Sequence, residues 1–249
     1  MWSFGILCDE FRVSSRLYLK LDIEPSREAL LHFFERIRRA YPGMSRLRRR
    51  EDSGLVLEEE AGESDARRLL RIDRAALKFT YHNPPDRDDV ARFGDLILNQ
   101  APAHLTLSPL DIDYMEVAYT FDLEYRGNHD ELVAEALFAD HPLLGRFAGD
   151  GQRVIDCQPF IGITLSDDCD LQAFLEIKGR TTTFEVRSGE YESVPLSARL
   201  TLRQYNGNAT FENLAAVHRD LLVRGEELSA ERAVPLVVQP LAAAIASRR

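Results

Sequence analysis

Met115-Glu116-Val117-Ala118-Tyr119-Thr120-Phe121-Asp122-Leu123 is the stretch whose reading decides the fold. Met115, Val117, Tyr119, Phe121 and Leu123 fall on one side, and Glu116, Thr120 and Asp122 on the other. That period of two marks a half-buried strand. About one hundred positions earlier, Arg16-Leu17-Tyr18-Leu19-Lys20-Leu21-Asp22-Ile23 alternates in the same way.

Each stretch leads into a similar helix. After the earlier one, Pro25 ends the strand and Ser26 can cap a helix. Leu30, Phe33, Phe34, Ile37 and Tyr41 then recur at helical spacing, and Pro42-Gly43 stops the run. After the later one, Gly127 breaks the strand, and Asn128 with Glu131 reads as a capping box. Leu132, Val133, Ala136 and Leu137 share one helical face, and His141-Pro142 ends it.

Strand-like segments come next in both halves. They are Arg46–Arg50, Leu55–Glu60, Arg67–Asp73 and Leu77–His82, then Val154–Leu165, Leu171–Lys178, Thr182–Arg187 and Val194–Tyr205. A helix closes each half, marked by Val90, Phe93 and Ile97 in the first and Leu214, Val217 and Leu221 in the second. Asp86, Asp88 and Asp89 favour the start of the first through the helix dipole, and Thr210 with Glu212 the start of the second. The pattern predicts an α+β fold with an internal duplication of a strand-helix-four-strand-helix unit, an antiparallel sheet and helices on one face. Residues 1–110 form the first repeat with an N-terminal arm, 111–228 the second, and 229–249 an apolar tail. Together they make one continuous pseudo-dimeric domain.

Such a unit resembles the TATA-binding-protein fold. The resemblance covers Arg16 to Leu228 and rests on element order, with no shared motif. It implies one curved sheet built from two copies, with helices on its convex side. That family grips DNA with a concave sheet bearing basic, apolar and intercalating aromatic residues. The matching face of the second half departs from this in carrying Glu and Asp. A duplicated effector-binding barrel with fewer strands per copy is the competing topology.

With the leucine side of each strand turned to the helices, the opposite face of the first half carries Arg16, Tyr18, Lys20, Arg46, Arg48, Arg50, Arg71 and Lys78. In the second half it carries Glu116, Thr120, Asp122, Glu124, Asp156, Glu176 and Glu185, with Lys178, Arg187, Arg199 and Arg203. Arg49 breaks the pattern by pointing inward in register, so that strand is either at an edge or misplaced. Arg16, Lys20, Arg46, Arg48, Arg50, Arg71 and Lys78 are therefore candidate nucleic-acid contacts. The rival reading is a solvated face whose charges pair across strands. Charge is unevenly spread. Residues 1–110 hold 18 basic and 18 acidic side chains and residues 111–249 hold 13 and 23, so the whole net charge of −10 lies in the second half. That total opposes general attraction to phosphate backbones.

No catalytic, cofactor or metal constellation is recognisable. The six histidines show no ligand spacing. His218-Arg219-Asp220 spells a kinase catalytic-loop tripeptide, but inside a predicted helix and without a Gly-rich loop. Asp167-Asp168-Cys169-Asp170 reads as a solvated turn. Cys8, Cys157 and Cys169 form no CxxC pair, as expected of reduced thiols in a cytoplasm. No run reaches the roughly 18–20 apolar residues of a membrane span, and the apolar start lacks a basic n-region, so it reads as a first strand or docked arm.

Ala233 to Ala246 contains no charged residue. Pro235 and Pro240 are expected to prevent one uninterrupted regular helix. The segment either packs on the protein's own helices or docks a partner chain through Leu236, Val237, Val238, Leu241 and Ile245. The expected function is a non-enzymatic binding protein acting through protein–protein contacts. Nucleic-acid binding by the basic face is the alternative. A third is small-ligand sensing in a cleft that Tyr119, Phe121, Tyr125 and Phe184 would line.

Overall fold

The computed structural model of the chain describes residues 2–50, 54–60, 65–142, 147, 149, 151–207 and 211–248. Among them nine strands form one antiparallel sheet in the order β2-β3-β4-β5-β1-β6-β9-β8-β7. They are β1 (Glu10–Leu19), β2 (Arg46–Arg49), β3 (Leu55–Glu58), β4 (Arg67–Asp73), β5 (Ala76–His82), β6 (Ile112–Tyr125), β7 (Phe160–Thr164), β8 (Leu171–Lys178) and β9 (Val194–Tyr205). The helices are α1 (Arg27–Ala40), α2 (Arg87–Leu105), α3 (His129–Phe138), α4 (Thr183–Ser188), α5 (Leu214–Leu228) and α6 (Gln239–Ala246). The architecture is α+β.

The two alternating stretches lie side by side at the centre. β1 and β6 pair with Phe11 opposite Phe121, Val13 opposite Tyr119 and Leu17 opposite Met115. All six of these side chains are buried beneath the helices. The aromatic ones bury the largest areas, so this seam anchors the core. The N-terminal arm docks on it. Trp2 and Phe4 pack edge-on against Phe11, and Trp2 Nε1 donates to Glu226 Oε1 at 2.8 Å.

Several boundaries differ from expectation. β1 runs from Glu10 to Leu19 rather than from Arg16 to Ile23. Ser14-Ser15 hides the alternation in the sequence. In the fold, Ser15 still points inward, and its buried hydroxyl meets His218 Nε2 at 2.8 Å. The segment predicted as strand Thr182–Arg187 is the short helix α4. Thr182 and Glu185 close a capping box around its first turn, which outweighs the β-branched run Thr181-Thr182-Thr183. Of Val154–Leu165 only Phe160–Thr164 is strand. Thr210 lies outside the described residues, and Asn213 caps α5 instead, accepting from Ala216 N at 3.0 Å.

The helix starts follow their caps. Ser26 and Asp86 each accept the third backbone N–H of α1 and α2. Replacing Asp86 with Ala removes one such bond together with a favourable dipole interaction. The expected cost is about 1 kcal/mol, read from the urea midpoint at constant m-value.

From Leu214 to Ala246 the chain stays helical without a break. Pro235 is accommodated because Ser229–Val238 adopts a π-helical register. Its i→i+5 bonding leaves room where an α-turn would clash with the proline ring. Pro240 lies in the first turn of α6, where its missing N–H costs little. This helix is long and apolar enough to cross a membrane. Its apolar stripe, including Leu221, Leu222, Val234, Val238 and Leu241, is buried in the protein's own core. Core helices of this kind satisfy the same length and composition criterion.

Candidate functional site

The face of the sheet away from the helices is built by strand parity. One row of side chains crosses all nine strands: Arg48, Val56, Arg71, Lys78, Arg16, Glu116, Arg203, Gln172 and Thr164. The next row but one on this face, beyond Thr80, Ser14, Ala118 and Thr201, holds Arg67, His82, Arg12, Thr120, Arg199 and Glu176. Adjacent strands lie about 4.8 Å apart, so Arg71, Lys78 and Arg16 stand within about 10 Å of one another along their row.

Beneath these long side chains the floor is small and polar. Thr80, Ala118, Thr120 and Thr201 are all buried, and Ser14 Oγ meets Thr80 Oγ1 at 3.1 Å. Beside the cluster is an aromatic ladder. Tyr18 stacks on Tyr114 with ring centroids 4.2 Å apart, and Tyr114 lies 5.3 Å from Tyr205. Arg16 lies over Tyr18 and Arg203 over Tyr114.

Most carboxylates on this face are already engaged. Buried Asp122 pairs with Arg12. Buried Glu116, which stands opposite Arg16 in register, is instead taken by Arg203, whose Nε is 2.8 Å away. Glu58 holds Arg48 at 2.6 Å, and Asp73 holds Arg71 at 2.6 Å. Among the described residues, no carboxylate lies within 4 Å of Arg16, Lys78 or Arg199. The Nε atoms of Arg16 and Arg199 are buried without a hydrogen-bond partner. Burial, with the fields of Arg16, Arg199, Arg12 and Arg71, pushes Lys78 down to about 8. Half-buried like charges without a counter-ion are costly to assemble, and an anion seated among them relieves that cost.

Of the seven basic residues singled out in the sequence, the fold brings Arg16, Arg71 and Lys78 together. Arg48 continues their row at the sheet edge, paired to Glu58, and Arg46 stands beside the same carboxylate. Arg50 lies beyond the end of β2 and Lys20 beyond the end of β1, both exposed. Arg49 sits on the edge strand and is exposed, the first of the two readings its register left open. Arg12 joins the cluster because β1 begins six residues before the stretch whose alternation is visible in the sequence. Glu185 and Arg187 belong to α4 and Asp156 to a loop, so none of the three lies on the sheet.

The residues expected to dock a partner are mostly internal. Val237, Val238, Leu241 and Ile245 are buried in the core, whereas Leu236 is 66% exposed. The expected ligand cleft is not assembled. Tyr119 and Phe121 are fully buried, with the Tyr119 hydroxyl donating to Leu222 O at 2.7 Å. Phe184 is exposed and Tyr125 is held by Arg248. A cleft of about 540 Å³ lies instead where the N-terminal arm docks, walled by Trp2, Phe11, Tyr81, Pro84 and Pro85, with Asp9 and Asp65 as its carboxylates. His218 is buried, Arg219 pairs with Asp95 and Asp220 with Arg224, so this tripeptide is structural. Asp168 Oδ1 accepts from Asp170 N at 3.1 Å in an exposed turn. Among the described residues, no three His, Cys, Asp or Glu side chains converge as a metal site.

No family model matches the chain. No curated protein matches it either. Among solved structures, it is similar to a class II 3-hydroxy-3-methylglutaryl-CoA reductase from Streptococcus pneumoniae bound to NADPH in open conformations. The identity is 12%, the TM-score is 0.22, and 96% of this chain is covered. The match spans 64% of that chain's length. A TM-score this low carries no argument about fold or activity.

Proposed function

We propose that this is a non-enzymatic binding protein that holds an anionic partner, nucleic acid being the best-fitting class, on the open face of its sheet. The observation that carries this reading is the cluster of Arg16, Lys78 and Arg199, cationic and half-buried, with no carboxylate within 4 Å among the described residues, although Glu176 stands opposite Arg199 in register. The adjacent tyrosine ladder supports a ligand with both phosphates and stacking bases, and favours a single strand over a duplex. The net charge of −10, all of it in residues 111–249, favours a local site over indiscriminate attraction to polyanions.

A TATA-binding-protein-like duplication belongs to the same proposal. The order of the sheet supports it, since β1 and β6 are adjacent at the centre and the remaining strands of each half run outward in reverse chain order. The first half has four outer strands and the second has three, with α4 between β8 and β9.

The test is fluorescence anisotropy with labelled single-stranded and duplex oligonucleotides at low salt. Three phosphate contacts predict a log–log salt slope of about −2 for a single strand. Lys78→Glu with Arg199→Glu is expected to weaken binding at least tenfold, whereas Arg39→Glu, on the exposed surface of α1, leaves it unchanged. Absence of binding at low salt, or equal loss from both variants, would overturn the reading.

A further inference from the structure

The two edges of the sheet differ in kind. β2 carries Arg46, Arg48 and Arg49, followed by Arg50. Clustered charge of one sign is how natural sheets keep an edge from pairing. β7, Phe160-Ile161-Gly162-Ile163-Thr164, carries no charge at all and is exposed along its whole length. Phe160, Ile161 and Ile163 are 64%, 57% and 42% exposed.

The free hydrogen-bonding groups of β7 are fixed by its pairing with β8. Ile177 N donates to Pro159 O at 3.0 Å, and Leu165 N donates to Leu171 O at 2.8 Å. Positions 159 and 165 therefore face β8, and by the two-residue alternation of an antiparallel ladder so do Ile161 and Ile163. The N–H and C=O groups of Phe160, Gly162 and Thr164 point outward. These three positions are symmetric about Gly162. A second copy laid antiparallel on the same edge sets Phe160 against Thr164, Gly162 against Gly162, and Thr164 against Phe160. Each of these pairs exchanges two backbone hydrogen bonds. Ile161 of one chain then stands directly opposite Ile163 of the other, on the side facing the helices, in two apolar pairs. Gly162 suits the two-fold position because it adds no side chain, and the Phe174 ring already fills that space; a Cβ there would lie 2.9 Å from it.

The geometry points to β7 as a self-pairing edge, through which two copies of this chain join antiparallel about Gly162 into one continuous sheet. A second copy is the occupant the strand itself specifies. An uncharged strand in which the two-fold exchanges Ile161 with Ile163 meets its own image without charge repulsion. The arginine-rich β2 edge has no such match to itself.

Strand pairing over five residues gives an interface at the small end of stable contacts, so association is expected at micromolar levels. Sedimentation velocity from about 1 to 100 µM tests it. The wild-type chain is expected to shift from monomer to dimer across that range. Ile161→Lys with Ile163→Lys, both at exposed positions, places like charges opposite each other and should weaken the dimer at least tenfold. Ile161→Glu with Ile163→Glu should do the same alone. Mixing the two variants should restore a heterodimer, which neither loss of folding nor an interface elsewhere would produce. A wild-type chain that stays monomeric at about 100 µM overturns the proposal, as does a dimer indifferent to the charges. Failure of the mixture to associate also overturns it.

Discussion

Gly94→Ala is expected to destabilise the protein by about 2 kcal/mol, although alanine is the better helix former. Gly94 lies in α2 where that helix crosses α5. A Cβ added there would lie 2.3 Å from His218 Cε1 and 2.6 Å from Nδ1. The imidazole has little freedom to retreat. It is fully buried, its Nε2 is held by Ser15 Oγ at 2.8 Å, and Phe79 packs against it with ring centroids 5.2 Å apart. The intrinsic gain of Ala over Gly in a helix is about 1 kcal/mol. Forcing a methyl group into a filled contact costs about 1–3 kcal/mol and sometimes more. At a 2.3 Å approach the upper end of that range applies, so the steric cost wins. Urea unfolding measures the loss. A double-mutant cycle with His218→Ala identifies its cause, because removing the ring abolishes the clash. The double variant should be more stable than the sum of the single losses by on the order of 1 kcal/mol or more. Strict additivity would show that α2 and α5 do not meet at this point.

The second large effect is acid destabilisation through the same histidine. Burial lowers His218 to about 4 in the folded protein, with Asp95 opposing that shift and Arg219 adding to it. In the unfolded chain it returns to the ordinary value of 6.5. Above pH 6.5 both states are neutral there and stability is at its full value. As pH falls from 6.5 towards 4, the unfolded chain takes up a proton that the folded protein refuses, and stability is lost. At about pH 5 the loss from this residue is about 2 kcal/mol, reaching about 3 kcal/mol below about pH 4. His82 and His129 are also lowered by burial and add to the slope in the same direction. Urea midpoints at about pH 7 and about pH 5 should therefore diverge more for the wild type than for His218→Gln. Gln can still reach towards the Ser15 hydroxyl but has nothing to titrate. Equal divergence in the two proteins would show that the imidazole is solvated.

Periodicity alone locates most of the sheet. Arg67–Asp73, Leu171–Lys178 and Val194–Tyr205 occur with the predicted bounds; Val194–Tyr205 alternates over most of its length, and the other two are short apolar-rich runs bounded by turn residues. β1 is only half legible, since two serines interrupt the apolar alternation, and only the tertiary contact to His218 explains Ser15. The strand predicted at Thr182–Arg187 fails because a local capping box outweighs β-branched composition in so short a segment. At the candidate site, strand parity places Arg16, Arg71, Lys78 and Arg199 on one face. Their convergence depends on β5, β1, β6 and β9 being neighbours, and strand order is a non-local property that no short window contains. For the C-terminal helix, an uncharged apolar stretch looks the same whether it meets its own core or a partner. The burial of Val238 and Leu241 is settled by packing against the sheet and α3, which hydropathy does not encode.

If the Arg16–Lys78–Arg199 cluster is a seat for an anion, Lys78 must feel the ligand's charge. The most direct measurement is the titration of Lys78 by side-chain NMR, without and with a saturating single-stranded oligonucleotide. Buried, and crowded by four guanidinium groups, the free ammonium should titrate near 8. A phosphate among those groups should raise it towards or beyond the ordinary value of 10.5. A Lys78 resonance whose midpoint is the same in the saturated complex as in the free protein would place the ligand elsewhere and contradict the account.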